Sequence, residues 1–124
     1  MIFGIGTDIV EVSRIATAIE KYGERFLNRI FTKTEQEYCE TYKDGKYLHY
    51  AARFAAKESF SKAIGTGITQ GFRFNEIGIK NLESGEPIVE LTGELAEKWG
   101  NYKLFISLSH TKEYAVAMLV METK

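Results

Sequence analysis

Only one cysteine, Cys39, occurs in the chain, so no disulfide can close within it, which fits a reducing compartment. There is one proline, and no Pro/Ser-rich linker, charge block, low-complexity stretch or internal repeat breaks the sequence. The 124 residues therefore read as a single domain, 1–124, with one modest core. No apolar run approaches the roughly 18 residues that a bilayer span requires. Met1-Ile2-Phe3-Gly4 lacks the basic start and apolar stretch of a signal peptide. These absences predict a cytoplasmic protein with no membrane partner. An excess of either charge is missing too: 17 acidic residues face 16 Lys and Arg, a net charge of −1. A general nucleic-acid binder carries a strong basic excess, so no nucleic-acid partner is expected. A local basic patch aimed at one acidic protein is still compatible with that balance. Cys/His sets with zinc spacing, a P-loop and a Gly-x-Gly-x-x-Gly stretch are all lacking.

What is present reads as α+β with a mostly antiparallel sheet. Met1 to Val10 predicts a strand with Asp8 near its end, and Ser13 is expected to cap the helix that follows. Ile15, Ile19 and Tyr22 recur at i, i+4 and i+7 and predict its buried stripe; Arg14, Ala18 and Lys21 form the neighbouring stripe, and Gly23 ends it. A short helix is expected over Glu24 to Arg29, and another over Thr34 to Tyr42, capped by Thr34 with Glu37 completing a capping box. Tyr47 to Ile64 is the longest helical candidate, without Gly or Pro before Gly65. Ile77 and Ile79, a Ser84-Gly85 turn and Ile88 to Leu91 predict a hairpin. A short helix over Glu94 to Trp99 and two apolar strands, Leu104 to Leu108 and Tyr114 to Met121, complete the chain.

Three places gather polar residues where a plain core would not. In Gly6-Thr7-Asp8, an Asp ending an apolar strand serves as an exposed cap, a turn residue or a metal ligand. In the long helix, Arg53 and Lys57 are spaced i, i+4, as are Glu58 and Lys62, so each pair projects on one side. Such pairs read either as a solvated, charge-stabilised face or as a site for a metal-bound diphosphate, which needs a carboxylate for the metal and cations for phosphate oxygens. Gly65-Thr66-Gly67 either ends the helix or lets a phosphate approach the backbone closely. Ser109 and His110 lie in the connection between the last strands, where a histidine is either simply exposed or a donor to phosphate. Cys39 reads as a small packing residue, and His49 as packed or exposed rather than catalytic.

In order, these segments resemble the short holo-acyl-carrier-protein synthases of the phosphopantetheinyl transferase superfamily. The matching stretches are Gly4-Ile5-Gly6-Thr7-Asp8-Ile9-Val10-Glu11, Arg29-Ile30-Phe31-Thr32, Arg53-Phe54-Ala55-Ala56-Lys57-Glu58, Lys62-Ala63-Ile64-Gly65-Thr66-Gly67, Gly85-Glu86-Pro87 and Ser107-Leu108-Ser109-His110. They cover nearly the whole chain. Only the basic helix face is less complete, because Ala18 offers packing and nothing more.

The resemblance implies the phosphopantetheinyl transferase fold, a homotrimer with sites shared between protomers, and transfer of 4′-phosphopantetheine from CoA to a serine of apo-acyl carrier protein in support of fatty acid biosynthesis. It implies Mg²⁺ on Asp8 and Glu58, with Glu58, directly or through a water, taking the serine proton and Lys62 neutralising the leaving phosphate. Arg53, Lys57, Lys62, Gly65, Thr66, Gly67, Pro87, Ser109 and His110 are expected along CoA. Arg14, Lys21 and Arg25 are expected to face the acidic carrier protein. Competing expectations are a broader transferase serving other carrier domains, a non-catalytic CoA- or nucleotide-binding oligomeric regulator, and a small structural oligomerisation domain.

Overall fold

A computed structural model describes residues 1–69 and 71–124. The element order is β1 (Ile2–Glu11), α1 (Val12–Tyr22), α2 (Glu24–Ile30), α3 (Lys33–Glu40), α4 (Lys46–Ala63), a 3₁₀ turn (Phe74–Glu76), β2 (Ile77–Asn81), β3 (Pro87–Leu91), α5 (Gly93–Trp99), β4 (Lys103–His110) and β5 (Tyr114–Glu122). The expected α+β pattern is what forms. β1, β5 and β4 make an antiparallel sheet in that order, and β2 and β3 make a separate hairpin. No described helix is long and apolar enough to cross a membrane.

The alternation of β5 decides how the sheet is used. Ala115, Ala117, Leu119 and Met121 are fully buried beneath α4, whereas Val116 and Val120 are only partly covered and Met118 is exposed. Across the ladder, Gly6 pairs with Leu119 and Asp8 with Ala117, so both face α4. At Gly6 and Gly4 the helix backbone comes so close that a Cβ would stand 1.9 Å from the Ser59 carbonyl oxygen and 2.0 Å from that of Ala63, respectively. Ala55, Ala56 and Ala63, all buried, keep the facing side of α4 equally thin. Small residues on both elements thus let a strand and a helix touch backbone to backbone, which sets the height of Glu58 and Lys62 above Asp8.

Three local expectations are corrected. α1 begins at Val12 after Glu11, not behind Ser13, because the Val12 N–H is satisfied by the Glu113 carbonyl at 2.9 Å. Tyr22 is exposed rather than buried, while Ile15 and Ile19 are core. The cap of α3 is Thr32, not Thr34: Thr32 Oγ1 accepts from the Glu35 N–H at 3.1 Å, and Glu35 Oε1 accepts from the Thr32 N–H at 2.9 Å. Both threonines have an acid three residues on, but only Glu35 meets a buried cation.

Candidate active site

Asp8 leaves β1 toward α4, and Lys62 comes down from the last turn of α4 to meet it. The Lys62 Nζ lies 3.1 Å from Asp8 Oδ1 and donates to the Thr7 carbonyl at 2.9 Å. Glu58 stands one turn earlier on the same side, half-buried, and its carboxylate makes no hydrogen bond among the described residues. Burial raises its pKa first and the charge of Asp8 second, with Lys62 acting the other way. Two carboxylates from neighbouring elements, with a cation beside one of them, form a donor set suited to a hard divalent ion. Among the described residues no cluster of three or more His, Cys, Asp or Glu gathers anywhere. Any ion here would therefore complete its shell with water or ligand oxygens, as Mg²⁺ commonly does.

Beyond Lys62 the chain stops being helical. The Gly65 N–H bonds the Lys62 carbonyl at 3.0 Å and the Gly67 N–H reaches back to Ser61 at 2.9 Å. Both glycines have positive φ, 88° and 65°, so Gly65-Thr66-Gly67 first of all closes the helix end.

Arg53 and Lys57 do not form the solvated, charge-stabilised face that their spacing also allowed. Arg53 is 2% exposed and Lys57 is fully buried. Lys57 Nζ donates to Glu35 Oε1 at 2.7 Å, to the Phe74 carbonyl at 3.0 Å and to the Ile77 carbonyl, so all its protons are engaged inside the protein. Arg53 lies 4.2 Å from the centre of the Tyr38 ring and donates to Asn81 Oδ1; its Nε has no partner among the described residues. Asn81 passes this anchorage on to the Gly85 carbonyl at 2.9 Å and pairs with Pro87.

His49 proves part of this second cluster. It stacks on Tyr42 with ring centres 3.9 Å apart. Burial first, then Arg53 and His110, lower its pKa. The structure thus links Arg53, through Asn81, to the Gly85–Pro87 turn and brings Asp8, Glu58 and Lys62 together elsewhere. Arg53 and Lys62 are nine positions apart on α4, about two and a half helical turns, and so leave it on opposite sides. Ser109 is exposed on β4 next to His110. Cys39 is buried, with its thiol pushed up to about 12 mainly by desolvation, which makes it inert as a nucleophile.

A third region was only partly legible beforehand. A groove of about 980 Å³ opens between α2, α4 and the segment before β2; Arg25, Arg29, Arg73, Phe54, Phe72 and Phe74 are among its walls. Phe54 and Phe74 stack across it with centres 5.7 Å apart and planes 10° from parallel. Arg25 was expected to face a partner; Arg29, Arg73 and the phenylalanines were missed, although the basic–aromatic alternation Phe72-Arg73-Phe74 is a readable signal. Lys21 approaches the groove through Tyr22, with Nζ 5.4 Å from that ring centre. Arg14 is exposed on α1 but does not line the groove.

Comparison with known proteins agrees over the whole chain. The family model of the 4′-phosphopantetheinyl transferase superfamily matches residues 4–119. The chain is 48% identical over 120 residues to the holo-[acyl-carrier-protein] synthase of Protochlamydia amoebophila, covering 97% of this chain and 98% of that one. It is 50% identical over 120 residues to the namesake from Ruminiclostridium cellulolyticum, covering 94% and 90%. The crystal structure of a holo-(acyl-carrier-protein) synthase from Bacillus anthracis in complex with CoA (3′,5′-ADP) superposes with a TM-score of 0.85 at 38% identity, over 100% of this chain and 99% of that one.

Proposed function

The chain belongs to the 4′-phosphopantetheinyl transferase superfamily, among its holo-[acyl-carrier-protein] synthases, and from this premise we propose how its own residues carry the transfer. The reaction moves 4′-phosphopantetheine from CoA to a serine of apo-acyl carrier protein. The serine Oγ–P bond forms, a diphosphate P–O bond breaks, and adenosine 3′,5′-bisphosphate leaves. The observation that carries the assignment is the convergence of Asp8, Glu58 and Lys62 from two elements, with Lys62 Nζ 3.1 Å from Asp8 Oδ1.

Asp8 and Glu58 would hold Mg²⁺. Bound there, it would screen the diphosphate oxygens and lower the repulsion met by a hydroxyl nucleophile. Glu58, whose proton affinity is raised by burial and by Asp8, takes the serine proton directly or through a water. Lys62, half exposed in the last turn of α4, neutralises the charge that gathers on the leaving phosphate. The Gly65-Thr66-Gly67 turn, Pro87, Ser109 and His110 line CoA, and Arg53 backs the nucleotide end from beneath His49. Lys57 has no such part. A place in fatty acid biosynthesis in the cytoplasm belongs to the same reading.

The carrier docks on the basic groove. Its arginines suit an acidic partner and its stacked phenylalanines suit an apolar anchor; charges of this kind set encounter and orientation more than affinity. Charge reversal of Arg14 or Lys21 is expected to raise the apparent KM for carrier protein about five- to tenfold at low salt, and less at high salt, with CoA unaffected. Steady-state kinetics at several salt concentrations check this. Lost CoA binding would place these residues on the wrong surface.

We also infer a homotrimer with shared sites. The outer face of the sheet carries Ile5, Ile9, Phe105 and Met118, between 45% and 63% exposed, an apolar surface that a second copy would cover. The carboxylate and nucleotide clusters lie on opposite sides of α4, so joining them across an interface completes a site for a ligand as long as CoA. Asp8 and Lys62 pair within one chain, so variants at these two positions should not complement one another. Mixing Asp8→Ala with His110→Ala after dissociation and reassembly should restore part of the activity, because about one site in four then carries neither defect. Light scattering must accompany the mixing. A monomer mass at full activity would sink the inference.

A further inference from the structure

The buried cation Lys57 takes no part in the chemistry assigned above, yet it is tied to more of the chain than any other ammonium described. Its partner Glu35 is itself fixed: Oε1 also accepts from the Thr32 N–H at 2.9 Å, and Oε2 accepts from the Ile79 N–H at 2.9 Å. Lys57 therefore ties the start of α3, the middle of α4 and the entry to β2 into one knot. Two of its protons go to carbonyls, those of Phe74 and Ile77, which bracket the 3₁₀ turn. An apolar residue of similar length would fill the same space but leave both carbonyls without this donor.

We propose that Lys57 is a positioning residue for carrier-protein binding: by holding the Phe74 carbonyl against α4, it sets the Phe74 ring over Phe54 as a wall of the basic groove. Phe54 sits on α4 three residues before Lys57, so one helix supplies both the ring on which Phe74 stacks and the ammonium that holds its backbone. On the other side of the knot, the same short segment carries Arg73 and Asn75, which also line the groove. Release of the Phe74 carbonyl would loosen three wall residues at once while leaving Asp8, Glu58 and Lys62 on their own anchors. The inference rests on the reading of that groove as the carrier's dock.

The test is two-substrate kinetics with CoA, Mg²⁺ and apo-acyl carrier protein on three variants. Lys57→Met removes the ammonium but strands the Glu35 charge, a costly defect in a dry interior. Glu35→Gln/Lys57→Met removes both charges and serves as the folded comparison. Phe74→Ala probes the groove itself. The expected result is a carrier KM raised about tenfold in the Lys57 variants, with CoA KM within about twofold of the parent and kcat at saturating carrier largely kept. Adding Phe74→Ala to the double variant should then change carrier KM little, because both changes disable the same wall. Unchanged carrier KM in the double variant alongside a lowered Tm would make Lys57 a stabilising residue only and overturn the proposal. So would a rise confined to CoA KM, or full additivity with Phe74→Ala. If Phe74→Ala alone leaves carrier KM unchanged, the groove reading fails first, separately from Lys57.

Discussion

Glu58→Gln should reduce phosphopantetheine transfer by about a thousandfold or more, since one substitution removes both a carboxylate of the ion site and the proton acceptor. The same change should leave the melting temperature unchanged or raise it. Glu58 is half-buried, makes no hydrogen bond among the described residues and faces the negative charge of Asp8. Its folded-state pKa is raised, so the folded protein disfavours the ionised form. The resulting penalty sets in as pH rises above the unfolded-state pKa and is complete above the folded-state one, and a neutral amide of the same shape removes it. Asp8→Asn should match the loss of transfer. It also dissolves the pair with Lys62, but that pair is half exposed on the lysine side and contributes little to stability. Mass spectrometry of apo-acyl carrier protein after incubation with CoA and Mg²⁺ reads the covalent adduct on serine, and thermal denaturation reads the fold. Near-normal turnover of either variant at ordinary Mg²⁺ would take that residue out of the metal role. A large fall in melting temperature for Glu58→Gln would mean that its charge is stabilised by a contact the geometry does not contain.

Gly6→Ala should be the most damaging single-carbon change in the fold. The added Cβ would stand 1.9 Å from the Ser59 carbonyl oxygen, 2.8 Å from its carbon and 3.0 Å from the Ala63 nitrogen, all backbone atoms of α4. No side chain can swing away, so helix and strand must separate. The expected cost is about 3 kcal/mol or more, at the upper end for overpacking, and the melting temperature should fall by roughly 10 °C. Transfer should fall further than the folded fraction, because the separation lifts Glu58 and Lys62 away from Asp8. Gly45→Ala is the control: its new Cβ meets only the edge of the His49 ring at 3.8 Å, and losing a glycine at a helix start costs about 1 kcal/mol or less. If Gly6→Ala melts and turns over like Gly45→Ala, the close contact between β1 and α4 is not what sets the site.

These two expectations differ in how much of each could be seen before folding. The carboxylates were legible as residue types in a recognisable order, and the resemblance supplied their pairing. The reason for Gly4 and Gly6 was not: from the sequence they only punctuate a strand, and their purpose appears once α4 lies on them. The capping boxes give a sharper case. Thr32/Glu35 and Thr34/Glu37 satisfy the same local rule, and the choice between them lies with Lys57, which is 22 positions away from Glu35.

By itself the sequence determined the α+β class, the places of the helices and strands to within a few residues, and the order of segments that marks the family. Those follow from local preferences and from a pattern of short motifs, both carried by neighbours along the chain. Only the tertiary structure decided which way the charges point. An i, i+4 spacing says that Arg53 and Lys57 share a side of α4, not whether that side meets water. Here it meets α3 and β2: Lys57 bonds Glu35 and the Ile77 carbonyl, and Arg53 bonds Asn81, 28 positions on. Burying a cation is unfavourable unless acceptors are already gathered to receive it, and only the assembled fold brings those acceptors together.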